Sequence, residues 1–156
     1  MRAFVFVLAT VLLSFPASAQ QTPAKSETIQ IQDLPKEVVD AVKTKFPDAQ
    51  MQKAKKKVEN GQTFFGIGLT SKGAVRSMLL TPKGKIVELK KVIAASELPA
   101  KVAEAVYAQY PNSTTQKVEK VTEFKEEKSI KVEVVTSDKQ TKKLVFDADG
   151  KIKAPK

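Results

Sequence analysis

One stretch of this chain occurs twice, and no other feature narrows the possible folds as far. Leu34-Pro35-Lys36-Glu37-Val38-Val39-Asp40-Ala41-Val42-Lys43-Thr44-Lys45-Phe46-Pro47 returns 64 positions later as Leu98-Pro99-Ala100-Lys101-Val102-Ala103-Glu104-Ala105-Val106-Tyr107-Ala108-Gln109-Tyr110-Pro111. An internal repeat of this size signals one supersecondary unit built twice. Leu34, Val38, Ala41, Val42 and Phe46 form an apolar stripe at helical period, repeated by Leu98, Val102, Ala105, Val106 and Tyr110. Pro35 and Pro99 suit a first helical turn, where the missing N–H would be unpaired anyway. Pro47 and Pro111 push the preceding aromatic residue out of the α region. Helices are predicted over 35–46 and 99–110, with the aromatic ring of each copy as a core anchor.

Between the copies the period changes from helical to two. Thr28 to Gln32 and Ile86 to Ile93 each lead as strands into a Leu-Pro. Met51 to Val58 alternates with Lys53, Lys55 and Lys57 on one face, Ala54 and Val58 on the other. Asn60-Gly61 is a tight-hairpin signal, and Phe65, Ile67 and Leu69 alternate after it. Ser71-Lys72-Gly73 and Pro82-Lys83-Gly84 turn the chain twice more. The second copy runs Thr115 to Phe124, then Ile130, Val132 and Val134, then Leu144-Val145-Phe146, closing on Asp147-Ala148-Asp149-Gly150. Thr70-Ser71 matches Thr136-Ser137 and Gly84-Lys85-Ile86 matches Gly150-Lys151-Ile152, both at spacing 66, which puts a two-residue insertion near Glu126-Glu127. Connections this short exclude parallel crossovers, so each unit is a helix followed by an antiparallel meander.

The chain begins with Met1-Arg2, an apolar run from Ala3 to Leu13 and a small-x-small site at Ala17-Ser18-Ala19. This is the pattern of a secretory signal peptide over residues 1–19, cleaved after Ala19. The run is too short for a membrane span of about 20 apolar residues, and with no Cys after the site a bacterial lipoprotein anchor is excluded. Residues 20–27 are expected to be a flexible lead-in. Residues 28–156 form one domain of two repeats, 28–93 and 94–156. That length buries a core without staples, so the absence of Cys in an exported chain costs nothing.

Chemistry is limited chiefly by what is missing. Without His or Cys, neither a thiol nucleophile nor an imidazole-based triad can be assembled, and no Ser-x-x-Lys occurs. Zinc and copper sites draw on the same two residue types. Asp147-Ala148-Asp149-Gly150 departs from a calcium loop, because Gly follows the second Asp at once and no Glu stands at the twelfth position. It reads as a turn in which Asp bonds its own backbone. Gly66-Ile67-Gly68 lies inside an alternating strand with no helix after it, so a bulge or a close helix approach is expected there, not a phosphate loop. No catalytic, cofactor or metal residue is assigned.

The formal net charge is +10, or +9 after loss of Arg2 with the signal. Residues 20–93 hold 14 basic and 7 acidic side chains, a net +7; residues 94–156 hold 12 and 10, a net +2. Lys53, Lys55, Lys56 and Lys57 form the one charge run, without Tyr or Trp interleaved as nucleic-acid stacking platforms.

The order Leu-Pro, Val, Ala, aromatic-Pro, meander, Asp-x-Asp-Gly-Lys resembles the PepSY-like domains of exported bacterial proteins, also described as β-lactamase-inhibitor-like. The resemblance covers about residues 28–153. It implies an α+β fold in which two tandem helix-plus-meander repeats share one curved antiparallel sheet, helices on one face. It also implies a non-catalytic exported binding or inhibitory protein. The chain departs from the pattern with Ile86 and Ile152 after the Gly turns, and with Thr81-Pro82-Lys83-Gly84 in place of an acidic turn. The expectation is a periplasmic or secreted binding module, not an enzyme. It meets a protein, or alternatively an anionic envelope polymer, through the face carrying Lys53, Lys55 and Lys57, with no specific nucleic acid.

Overall fold

Strands joined by short turns pair with their chain neighbours, and the order of this sheet follows the order of the sequence. A computed structural model describes residues 25–123, 128–147 and 149–153. Eight antiparallel strands stand side by side: β1 (Lys25–Ile29), β2 (Gln50–Glu59), β3 (Gln62–Ser71), β4 (Ala74–Leu80), β5 (Ile86–Ile93), β6 (Thr114–Glu123), β7 (Lys128–Val135) and β8 (Thr141–Asp147). Helix α1 (Lys36–Lys45) lies between β1 and β2 in the chain, and α2 (Ala100–Gln109) between β5 and β6. The protein is an α+β fold with one sheet and two helices among the described residues.

Both helices lie on the same face. Residues directly opposed in an antiparallel pair project from one side of the sheet. Pairing carries one row from Leu69 through Arg76, Lys91, Lys120 and Ile130 to Phe146. Leu69 belongs to a core cluster with Val38 and Val42 of α1, and Ile130 and Phe146 to a second with Val102 and Val106 of α2. Helices of ten residues are marginal in isolation. Burial decides their stability, at about 1.5–3 kcal/mol for each large apolar side chain removed from water.

The prolines act one position earlier than the spacing predicts. Pro35 and Pro99 are N-caps with extended ψ of 142° and 138°, outside the expected first turn. Their carbonyls accept the opening helical bonds, Pro35 from Val38 and Val39 at 3.0 and 3.1 Å, Pro99 from Val102 and Ala103 at 2.9 and 3.0 Å. Phe46 and Tyr110 end the helices at φ −138° and −133°, the non-helical conformation a following proline imposes. Short 3-10 turns at Ile31–Asp33 and Ala95–Glu97 precede each Leu-Pro. The first of these cuts short the strand expected over Thr28 to Gln32.

β1 starts at Lys25, inside the stretch expected to be a lead-in. Its polar residues read as linker, yet an edge strand needs only backbone pairing on one side. The cross-strand rows Ala54↔Ile67↔Met78 and Val118↔Val132↔Leu144 are offset by 64, then 65, then 66, and the insertion expected near Glu126-Glu127 falls outside the described residues. Residues 1–24, which include the expected signal peptide, and residues 124–127 lie outside the described residues.

Two glycines fix the helices to the meander. The turn after β4 bonds Gly84 N to Thr81 O at 3.0 Å, and the turn after β8 bonds Gly150 N to Asp147 O at 3.3 Å. A Cβ on Gly84 would stand 2.4 Å from the Glu37 carbonyl oxygen, and one on Gly150 3.0 Å from the backbone of Lys101. Each turn therefore presses bare backbone onto the first turn of a helix.

Candidate functional site

Among the described residues, neither helix covers the second face of the sheet. Ala54 opposes Ile67 of the core, so its neighbours Lys53 and Lys55 point to the other side, opposite Gly68 and Gly66. Lys57 follows, opposite Phe64. The structure thus brings Lys53, Lys55 and Lys57 onto one face, the open one. It does not leave all three unpaired: Lys57 Nζ lies 2.8 Å from Glu59 Oε2, its own i+2 neighbour on the same side of the strand. Lys53 and Lys55 are exposed and form no ion pair among the described residues. Lys56 projects to the helix side, opposite Phe65.

The Gly66 and Gly68 positions explain themselves at this point. No helix approaches them, contrary to the expectation from sequence; the irregularity in pairing falls on β2, between Met51 and Lys53. A Cβ at Gly68 would meet only Lys53, its Cβ at 3.5 Å and its carbonyl oxygen at 3.9 Å, and one at Gly66 only the Lys55 carbonyl oxygen, at 3.9 Å. The glycines leave a strip of bare strand beside the two free lysines. A hollow of about 800 Å³ borders Lys53 and Lys55 on the β1 side, with Glu27 and Asp33 also in its lining.

Towards β8 the open face changes character. Glu88 on β5 binds Lys90 at 2.7 Å and Lys131 on β7 at 3.4 Å. The longer bond passes over β6, where Val121 lies between the two rows and is 1% exposed. Val121 is opposite Lys90, and the Glu88–Lys131 pair spans its strand; long side chains of this kind can shield an apolar residue with their stems. Lys117–Glu119 and Lys143–Glu133 continue the lattice at 2.8 and 3.9 Å, around a recess of about 240 Å³. Charge is compensated on this half and uncompensated along Lys53 and Lys55.

Two turns carry carboxylates whose work is structural. Asp147 Oδ1 accepts from the backbone N–H groups of Asp149 and Lys151, each at 2.9 Å, the local bonding expected of a turn. Asp48 accepts from Ser71 Oγ at 2.9 Å and from Lys72 N at 2.7 Å. The Ser71 hydroxyl, then the Lys72 N–H, hold its carboxyl below the usual carboxylate range.

Comparison with known sequences gives no match, either to a family model or to a curated protein. Solved structures do match. The fold is that of the DUF2874 and BLIP-like proteins. A DUF2874 family protein from Bacteroides uniformis is 20% identical with a TM-score of 0.65, over 76% of this chain and 85% of that one. A BLIP-like protein from Bacteroides fragilis is 16% identical with a TM-score of 0.62, over 79% and 85%. A protein assigned to the periplasm of Bacteroides eggerthii is 19% identical with a TM-score of 0.66, over 76% and 85%. None of the three carries the PepSY name. Likeness at these identities establishes the BLIP-like fold and leaves activity to the residues.

Proposed function

We propose that this protein is a non-catalytic binding module of the cell envelope, exported by cleavage after Ala19, which docks an acidic protein partner on the open face of its sheet. The observation that carries the reading is the uncompensated pair Lys53 and Lys55 beside the bare strand at Gly66 and Gly68. A long side chain there would hold a partner's backbone off the sheet, whereas glycine admits it. Lys offers a mobile point charge and no bidentate geometry, which steers association more than it reads a defined group. The sequence supplies no His or Cys for the usual nucleophilic and metal-assisted chemistries. The periplasmic and BLIP-like descriptions of the structural neighbours agree with an envelope binding role.

The same proposal treats the chain as two tandem copies of one unit. It is supported by equal helices with matching proline caps and by pairing irregularities at Met51/Lys53 and Thr115/Lys117, 64 positions apart. The excess charge of residues 20–93 favours a second occupant, an anionic envelope polymer. Lys53→Gln/Lys55→Gln discriminates. With an acidic protein partner, capture from a periplasmic extract falls at low salt and persists in part at high salt, through contacts the lysines do not make. With a polymer, retention on heparin is lost at moderate salt and abolished by the substitutions. Capture that neither the substitutions nor salt affect refutes both.

A further inference from the structure

A second basic site lies on the opposite face, in the seam between the helices, and it is assembled by register alone. Arg76 on β4 is directly opposite Lys91 on β5, and Lys91 is directly opposite Lys120 on β6. Adjacent strands stand about 4.8 Å apart, so three cations fall within about 10 Å on one cross-strand row. The row joins the two cores, with Leu69 at one end and Ile130 and Phe146 at the other. Like charges directly opposed destabilise a sheet, and none of the three has an ion pair among the described residues. Arg76 has a structural partner: its guanidinium lies 4.9 Å from the centre of the Phe46 ring, at the C-terminal end of α1. That contact supplies no hydrogen-bond acceptor to the guanidinium N–H groups. Arg76 Nε is buried without an acceptor. The Phe46 contact accounts for Arg76 alone and leaves Lys91 and Lys120 unexplained.

We propose that this seam binds a small, soluble, multiply charged phosphate-class anion, held by the guanidinium of Arg76 and by the ammonium groups of Lys91 and Lys120. An oxyanion bonded to the Nη donors of the guanidinium, which have no hydrogen-bond partner among the described residues, uses the charged donor geometry that suits phosphate. A charge of two or more relieves the repulsion along the row. The site is independent of the open face, since its residues project from the other side of the sheet.

The test is titration of the full chain with inorganic pyrophosphate by calorimetry and by amide chemical shifts. Saturable binding is expected, with shifts centred on β4 to β6. Lys91→Gln and Arg76→Gln each weaken it by about tenfold or more, the usual loss for a hydrogen bond to a charged group. Lys120→Gln, at an exposed position, weakens it without any risk to packing. Lys53→Gln/Lys55→Gln leaves the affinity within twofold. No saturable binding by the parent, binding that Lys91→Gln and Lys120→Gln both leave intact, or equal loss in the open-face variant overturns the proposal. So does Lys91-dependent binding to anionic phospholipid vesicles in the absence of pyrophosphate binding.

Discussion

Replacing Gly84 by Ala should cost far more than replacing Gly61, although both sit in tight turns at nearly the same φ, +75° and +74°. At Gly61 a Cβ would meet nothing within 4 Å. Its cost is that of placing a side chain in the left-handed region, about 1–2 kcal/mol. At Gly84 the Cβ would stand 2.4 Å from Glu37 O, 3.0 Å from Glu37 C and 3.2 Å from Ala41 Cβ. Two of those atoms are helix backbone, so the turn must retreat from α1 by about 1 Å and loosen its contact with the core. Overpacking of this kind adds about 1–3 kcal/mol. The expected losses are therefore about 2–5 kcal/mol for Gly84→Ala and about 1–2 kcal/mol for Gly61→Ala. Urea titrations followed by circular dichroism measure both, with a slope of about 1–3 kcal/mol per molar for a domain of this class. Gly150→Ala, with contacts at 3.0 Å, should fall between them. Losses for Gly84→Ala and Gly61→Ala that agree within about 0.5 kcal/mol would refute the claim that this turn bears on the helix.

Two further outcomes follow from the charges. Asp48 has a depressed carboxyl pKa in the folded state, so its stabilisation is complete above the unfolded carboxylate value and is lost as pH falls through that value towards the folded one. Melting temperatures of the parent and Asp48→Asn should therefore differ at neutral pH and converge below about pH 4; a gap that stays constant into acid contradicts this. Lys91→Glu converts two directly opposed like-charge pairs, with Arg76 and Lys120, into opposite-charge pairs. At about 0.2–1 kcal/mol per cross-strand pair, urea unfolding should show a stabilised protein, and a destabilised one would show that the row is not under electrostatic strain.

The helices and most strands were legible because their signals are local. A stripe at i, i+4, i+7, i+8 and i+12 between two prolines needs no partner to be recognised, and neither does Phe65-x-Ile67-x-Leu69 after Asn60-Gly61. β1 was missed in part because Lys25-Ser26-Glu27 carries no apolar alternation; it is held by pairing with β2. The faces of Gly66 and Gly68 are legible from the same alternation. Residues alternating with Phe65, Ile67 and Leu69 must point away from the core. The Lys57–Glu59 pair was equally open to a period-two reading. The Arg76, Lys91 and Lys120 row had no such signal, because its members lie on three strands and meet only through register. The Glu88–Lys131 pair across buried Val121 likewise joins strands on either side of β6.

The central claim, that a partner meets the open sheet face and not the helices, is tested most directly by site-specific photocrosslinking of the purified protein in a bacterial periplasmic extract. A benzophenone amino acid is placed at Thr28, exposed on the open face opposite Lys55, or at Lys43, exposed on α1. Irradiation should give a discrete adduct from position 28 that disappears with Lys53→Gln/Lys55→Gln, and none from position 43. An adduct from position 43 alone, or one from position 28 that survives the loss of both lysines, would contradict it.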